Sequence, residues 1–141
     1  MESAVKGAQG DHTGAVSPGR FPRTARLRKH AAFERVYREG RRVFSANLTV
    51  FFRNRGPAEP GGPACVGFAV GRALGGAVER NRLKRRLREA VRHRLARLNA
   101  AVDLVVHPKK SALKAGFPEL LAELEQAFLK IQRQSEAEVH R

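Results

Sequence analysis

The segment from Arg80 to Arg97 constrains this chain more than any other part of it. It sets nine basic residues (Arg80, Arg82, Lys84, Arg85, Arg86, Arg88, Arg92, Arg94 and Arg97) against one acid, Glu89. Among them Leu83, Leu87, Ala90, Val91 and Leu98 recur at helical spacing. At about 100° per residue these apolar positions gather on one side, Asn81, Arg85, Arg88 and Arg92 lie opposite, and Arg82 and Arg86 occupy one flank. The segment reads as a helix that packs along one stripe and carries an almost purely cationic surface elsewhere. A merely solvated face mixes signs, because each Glu–Lys pair four residues apart contributes roughly 0.2–0.5 kcal/mol and like charges cost about as much. This helix forgoes that compensation, so another molecule has to neutralise it. Arginine prevails over lysine, and its planar fork suits bidentate phosphate contacts and stacking on bases. Folded RNA is the expected partner. A DNA-reading basic zipper would need heptads continuing out of the helix, whereas Asp103 and a strand follow.

The whole chain repeats the bias, with 28 Lys and Arg against 13 Asp and Glu and a formal charge of +15 over 141 residues, a length that suits one small domain. No stretch approaches 18 consecutive apolar residues and the N-terminus lacks an apolar signal core, so a cytosolic protein is expected. Cys65 is alone, which excludes an internal disulfide and a cysteine metal cluster, and its apolar surroundings suit an inert core thiol. The five histidines (His12, His30, His93, His107, His140) show no metal-ligand spacing, and no cluster of carboxylates appears. Gly71 to Gly76 lacks the Gly-Lys-Ser/Thr ending of a nucleotide cradle and reads as a turn. The chain is expected to contain no catalytic residue and no metal site of its own.

Residues 1–24, rich in Gly, Ser, Ala and Pro, read as a flexible leader, and the domain is expected over 25–132, with a frayed tail over 133–141. Ala32, Phe33, Val36 and Tyr37 give a first helix over Arg28 to Glu39, with Gly40 as its C-cap. Val43 to Arg53 alternates as one strand, Phe44, Ala46, Leu48, Val50 and Phe52 on the apolar face and Val43, Ser45, Asn47, Thr49 and Phe51 on a mixed one. A Pro- and Gly-rich loop, Asn54 to Pro63, leads to a second strand from Ala64 to about Val70. The cationic helix spans Val78 to about Leu98, roughly 30 Å. A third strand covers Ala101 to Val106, Pro108 to Gly116 is a basic loop, and a last helix begins near Pro118. The order α-β-β-α-β-α places a parallel strand pair across the cationic helix in a single small α+β sandwich.

Phe33, Tyr37 and Phe51 have two readings. They pack as ordinary core, or they line a groove in which unpaired nucleotides pass over aromatic rings, each stacked base contributing about 1–3 kcal/mol. The mixed face of the first strand favours the groove.

The run Gly75-Gly76-Ala77-Val78-Glu79-Arg80-Asn81-Arg82-Leu83-Lys84-Arg85-Arg86-Leu87-Arg88-Glu89 closely resembles the signature of the bacterial ribonuclease P protein subunit, an Arg-Asn-Arg run followed by hydrophobic-Lys-Arg. Phe33-Glu34-Arg35-Val36-Tyr37 with Gly40, and Asp103-Leu104-Val105-Val106, resemble the family's first helix and third strand, so the likeness spans about residues 26–131. Val70-Gly71-Arg72-Ala73 stands where the family commonly has Val-Ser-Lys-Lys, and the leader is longer than usual. The resemblance implies a left-handed βαβ crossover of the kind in the second domain of ribosomal protein S5, against the right-handed rule for such connections. It implies a ribonucleoprotein that removes the 5′ leader from precursor tRNA, its RNA subunit performing Mg2+-dependent hydrolysis and holding the metal. Arg72, Arg80, Asn81, Arg82, Lys84, Arg85 and Arg88 would contact the catalytic RNA. Phe33, Tyr37 and Phe51 would line the leader groove, and no obligatory protein partner or membrane is implied. A ribosomal protein or RNA chaperone would share the charge without needing a groove, and a protein nuclease would need carboxylates or paired histidines that the chain lacks.

Overall fold

The computed structural model describes residues 26–56, 59, 63–98 and 100–139, so the expected leader lies outside the described residues. In chain order the elements are α1 (His30–Glu39), β1 (Arg41–Phe44), β2 (Leu48–Asn54), β3 (Cys65–Phe68), α2 (Ala77–Arg94), β4 (Val102–Pro108) and α3 (Phe117–Val139). Short 3-10 turns occupy Arg72–Leu74, Leu95–Arg97 and Lys110–Leu113. The strands form one sheet in the order β1-β2-β4-β3. The pair β3 and β4, which flanks α2 in sequence, is parallel as expected, and the other pairings are antiparallel. The expected order α-β-β-α-β-α fits, with one refinement.

The refinement is that Val43 to Arg53 folds as two strands. β1 and β2 make a hairpin in which Val43 faces Val50 and Phe44 faces Thr49. That register joins odd positions to even ones, so the side-chain parity of the first arm reverses. Val43, expected on the mixed face, is buried in the core, and Phe44, expected on the apolar face, turns outward and is 59% exposed. Ala46 and Asn47 sit in the turn. The backbone N–H of Ser45 donates to the carbonyl of Leu48 at 2.9 Å. Glu123 of α3 accepts from the Asn47 backbone N–H at 2.9 Å and from the Asn47 amide and the Ser45 hydroxyl. An alternating sequence carries no trace of a turn anchored by a residue of another element.

Helices lie on both faces of the sheet. On one, Val50, Phe52, Val66, Leu104 and Val106 share a core cluster with Leu83, Leu87 and Val91 of α2 and with Leu120, Leu124 and Phe128 of α3. Each such fully buried apolar side chain contributes about 1.5–3 kcal/mol. On the other face α1 lies over β2 and β4, with Val36 and Val105 fully buried outside that cluster. Two glycines let α1 sit this close. A side chain at Gly40 would come within 2.4 Å of the Phe52 carbonyl oxygen and 2.5 Å of that of Val36, and one at Gly67 would come within 2.4 Å of the Phe33 ring. Gly40 caps α1 through its N–H on the Val36 carbonyl in an extended conformation, so space and not backbone freedom selects glycine there.

α3 continues to Val139, past Arg133 where the sequence suggests fraying. Its apolar period stops at Ile131, but polar contacts carry it on. The Ser135 hydroxyl donates to Asn54 Oδ1 at 2.7 Å and Arg41 donates to Gln134 Oε1 at 3.3 Å, tying the last turns to the β1-β2 hairpin.

Candidate nucleic-acid interface

α2 starts from a turn that only glycine readily makes. Gly75 takes φ 156°, and the Glu79 carboxylate accepts from the Gly76 N–H at 3.1 Å, satisfying a free donor at the positive end of the helix. The apolar stripe is the expected one, with Leu83, Leu87, Ala90 and Val91 buried.

The polar and basic residues of α2 divide into two groups. Several are held by the protein. Arg86 donates to the carbonyl oxygens of Ala115 at 2.7 Å and Leu113 at 3.3 Å, pinning the basic loop against the helix. Arg92 pairs with Glu89, Arg94 Nε lies 3.1 Å from Glu125, and Arg80 Nε donates to the Gly75 carbonyl at 3.1 Å. His93 lies 3.0 Å from the Glu89 carboxylate. The second group is free. Asn81, Arg82, Arg85 and Arg88 are exposed and Lys84 is half-buried; among the described residues none of them has a protein partner. Arg72 is exposed in the turn before α2, at a cleft of about 580 Å³ that Lys110 and Lys114 also line.

On the opposite side of the sheet, the structure brings Tyr37 of α1 and Phe51 of β2 together, ring centres 5.2 Å apart and edge to face. His107 of β4 completes the cluster, 4.9 Å from the Phe51 ring and with Nε2 2.6 Å from the Tyr37 hydroxyl. Burial holds the His107 pKa below its ordinary value, and burial, then the Glu34 charge, raises that of Tyr37. The Tyr37 hydroxyl and His107 Nε2 share this hydrogen bond, whose direction follows the imidazole tautomer. Phe33 stands apart from this cluster, its ring lying on β3 over Gly67. Sequence alone does not include His107 in the groove. Its alternation with Val105 and Asp103 on β4 is the signal that assigns it to the face of Phe51.

At one end of that face, buried Arg53 gathers three acids. Its Nε lies 3.1 Å from Glu39, one terminal nitrogen 2.5 Å from Glu59 and the other 3.4 Å from Asp103. Arg55 adds a 2.6 Å contact to Asp103. The Arg53 guanidinium and the Gly56 N–H lower the Glu59 pKa from 4.5 to about 2, and Arg53 also lowers that of Glu39. These carboxylates are already engaged by guanidinium groups, so the donor set does not suit a divalent cation. Among the described residues no group of three His, Cys, Asp or Glu side chains could hold one.

A family model described as Ribonuclease P matches residues 21–132. Relatives include the ribonuclease P protein component of Symbiobacterium thermophilum, 44% identical over 73% of this chain and 87% of the relative, and that of Acidothermus cellulolyticus, 43% identical over 74% and 86%. Among solved structures, the RNase P protein of Staphylococcus aureus superposes with a TM-score of 0.64 at 29% identity, covering 76% of this chain and 94% of that one. The RNase P protein of Thermotoga maritima gives 0.64 at 28% identity, covering 73% and 94%. The chain belongs to the ribonuclease P protein family. It is thus the protein component of a ribonucleoprotein endoribonuclease of tRNA processing, with RNA as its partner. Among the described residues no helix is long and apolar enough to cross a membrane.

Proposed function

We propose that this subunit works by binding alone, with two surfaces for two RNAs. The exposed stripe of Asn81, Arg82, Arg85 and Arg88, with Lys84 and Arg80 beside it and Arg72 at its start, holds the backbone of the catalytic RNA. The Tyr37–Phe51–His107 cluster, with Phe33 beyond it, holds the single-stranded 5′ leader of precursor tRNA. The observation that carries this reading is the set of cationic side chains on α2 left without an acid among the described residues, in a protein that elsewhere surrounds one buried arginine with three. Phosphates complete such a stripe, and each neutralised phosphate releases counterions, so affinity falls steeply with salt.

The chemistry then belongs to the RNA subunit. Magnesium held by that RNA would activate water and stabilise the leaving oxygen, releasing the leader and leaving a 5′-phosphate on the mature tRNA. The protein's residues orient the leader and screen phosphate repulsion where two RNAs meet. The test is cleavage of a 5′-labelled precursor tRNA at low magnesium by a bacterial ribonuclease P RNA, with and without this protein, beside the protein alone. Cleavage only when both are present supports the reading. Cleavage by the protein alone contradicts it, as does RNA-only activity that the protein leaves unchanged.

A further inference from the structure

The strand register carries the outer face of the sheet past the Tyr37–Phe51–His107 cluster to the free edge of β1. Arg42 faces Phe51, which faces Val105, which faces Gly67; in the next row Phe44 faces Thr49, which faces His107. Directly opposed residues project to the same side of a sheet. Phe44 and Arg42 therefore continue the aromatic band outward. The Arg42 guanidinium lies 5.4 Å from the centre of the Phe44 ring and 5.8 Å from that of Phe51, bridging the two. Arg42 is exposed, and among the described residues it has no acidic partner. Lys109, whose Nζ donates to the Ser45 carbonyl at 2.7 Å, adds a cation at the same turn.

A single exposed phenylalanine is ordinary on a protein surface. Phe44 differs in being in register with the aromatic cluster and in sharing its guanidinium. A bare ring for stacking with a cation for phosphate is the combination that single-stranded nucleic acid requires. We propose that Phe44 and Arg42 form an outer subsite for one further nucleotide of single-stranded RNA, its base on the Phe44 ring and its phosphate at Arg42. This inference rests on the leader-groove reading and extends it, because it makes affinity depend on leader length out to the β1 edge.

The experiment measures binding of precursor tRNAs by the reconstituted holoenzyme, with leaders lengthened one nucleotide at a time, for the unsubstituted protein, Phe44→Ala, Phe44→Trp and Tyr37→Ala. In the unsubstituted protein affinity rises with each nucleotide until the outer subsite is filled. Phe44→Ala is expected to lose the last rise, about 5-fold or more, while short-leader precursor and mature tRNA bind as before. Phe44→Trp should restore it. A Phe44→Ala protein that follows the unsubstituted curve at every length overturns the subsite, as does an equal loss for mature tRNA. A change in the protein's self-association without a change in the leader curve also overturns it, in favour of a protein contact. If Tyr37→Ala leaves the curve unchanged too, the leader groove itself fails; if Tyr37→Ala flattens the curve and Phe44→Ala does not, only the outer subsite falls.

Discussion

Arg53 and Arg85 are the same side chain put to opposite uses. Arg53 is buried and ringed by Glu39, Glu59 and Asp103. Arg85 is exposed on a helix whose two acids are both engaged, Glu79 at the Gly76 N–H and Glu89 by Arg92 and His93. A protein that can place three carboxylates around one guanidinium leaves Arg82, Arg85 and Arg88 without any among the described residues. The difference separates arginine as scaffold from arginine as ligand, although composition counts both alike.

The contrast breaks most sharply at Arg53. Arg53→Ala removes the guanidinium that joins three acids, leaving Glu39 and Glu59 to Arg35 and Asp103 to Arg55, and the lost charge-assisted hydrogen bonds should cost about 3 kcal/mol. Thermal or urea unfolding checks this, and an unchanged midpoint would mean that Arg53 is dispensable. The reverse pattern is expected of Arg82→Ala with Arg85→Ala, which should weaken binding to the catalytic RNA by at least about tenfold at moderate salt while leaving the unfolding midpoint in place. Arg86 sharpens the comparison because it lies in the same run but is held by backbone carbonyls. Arg86→Ala should cost about 1–3 kcal/mol of stability through the unsatisfied carbonyls of the basic loop, and the salt dependence of RNA binding should not move. The smallest effect is at Glu59. Its folded pKa of about 2 lies below its ordinary 4.5, so its contribution is complete above 4.5 and drains away as pH falls towards 2. Glu59→Gln should remove that part of the acid limb of the stability curve, so the two profiles run parallel above pH 4.5 and converge as pH falls towards 2.

The helices were legible because their apolar periods are long. Leu83 to Leu98 declares one buried stripe, and Leu120, Leu124, Phe128 and Ile131 another. The parallel strand pair followed from the helix between its members. What stayed hidden depends on contacts between distant elements. The β1-β2 turn is held by Glu123, more than seventy residues away in sequence, and the late turns of α3 by Asn54 and Arg41. Within the candidate interface, spacing identified the face of α2, but only three dimensions sort Arg86, Arg92 and Arg94, bound by the protein, from Arg82, Arg85 and Arg88. The aromatic residues divide likewise: Tyr37 and Phe51 meet, Phe33 lies on Gly67, and His107 joins because β4 pairs with β2, a pairing that the local alternation of β4 does not set by itself.

If the free arginines of α2 bind RNA phosphates, the affinity of the full-length protein for the catalytic RNA must depend on salt through those residues, which a comparison with Arg82→Ala, Arg85→Ala and Arg86→Ala measures. Each of the first two substitutions should lower the slope of log affinity against log salt by about one, while Arg86→Ala keeps the original slope. Equal slopes for all four proteins would contradict the account and return α2 to the status of a charged but uncommitted surface.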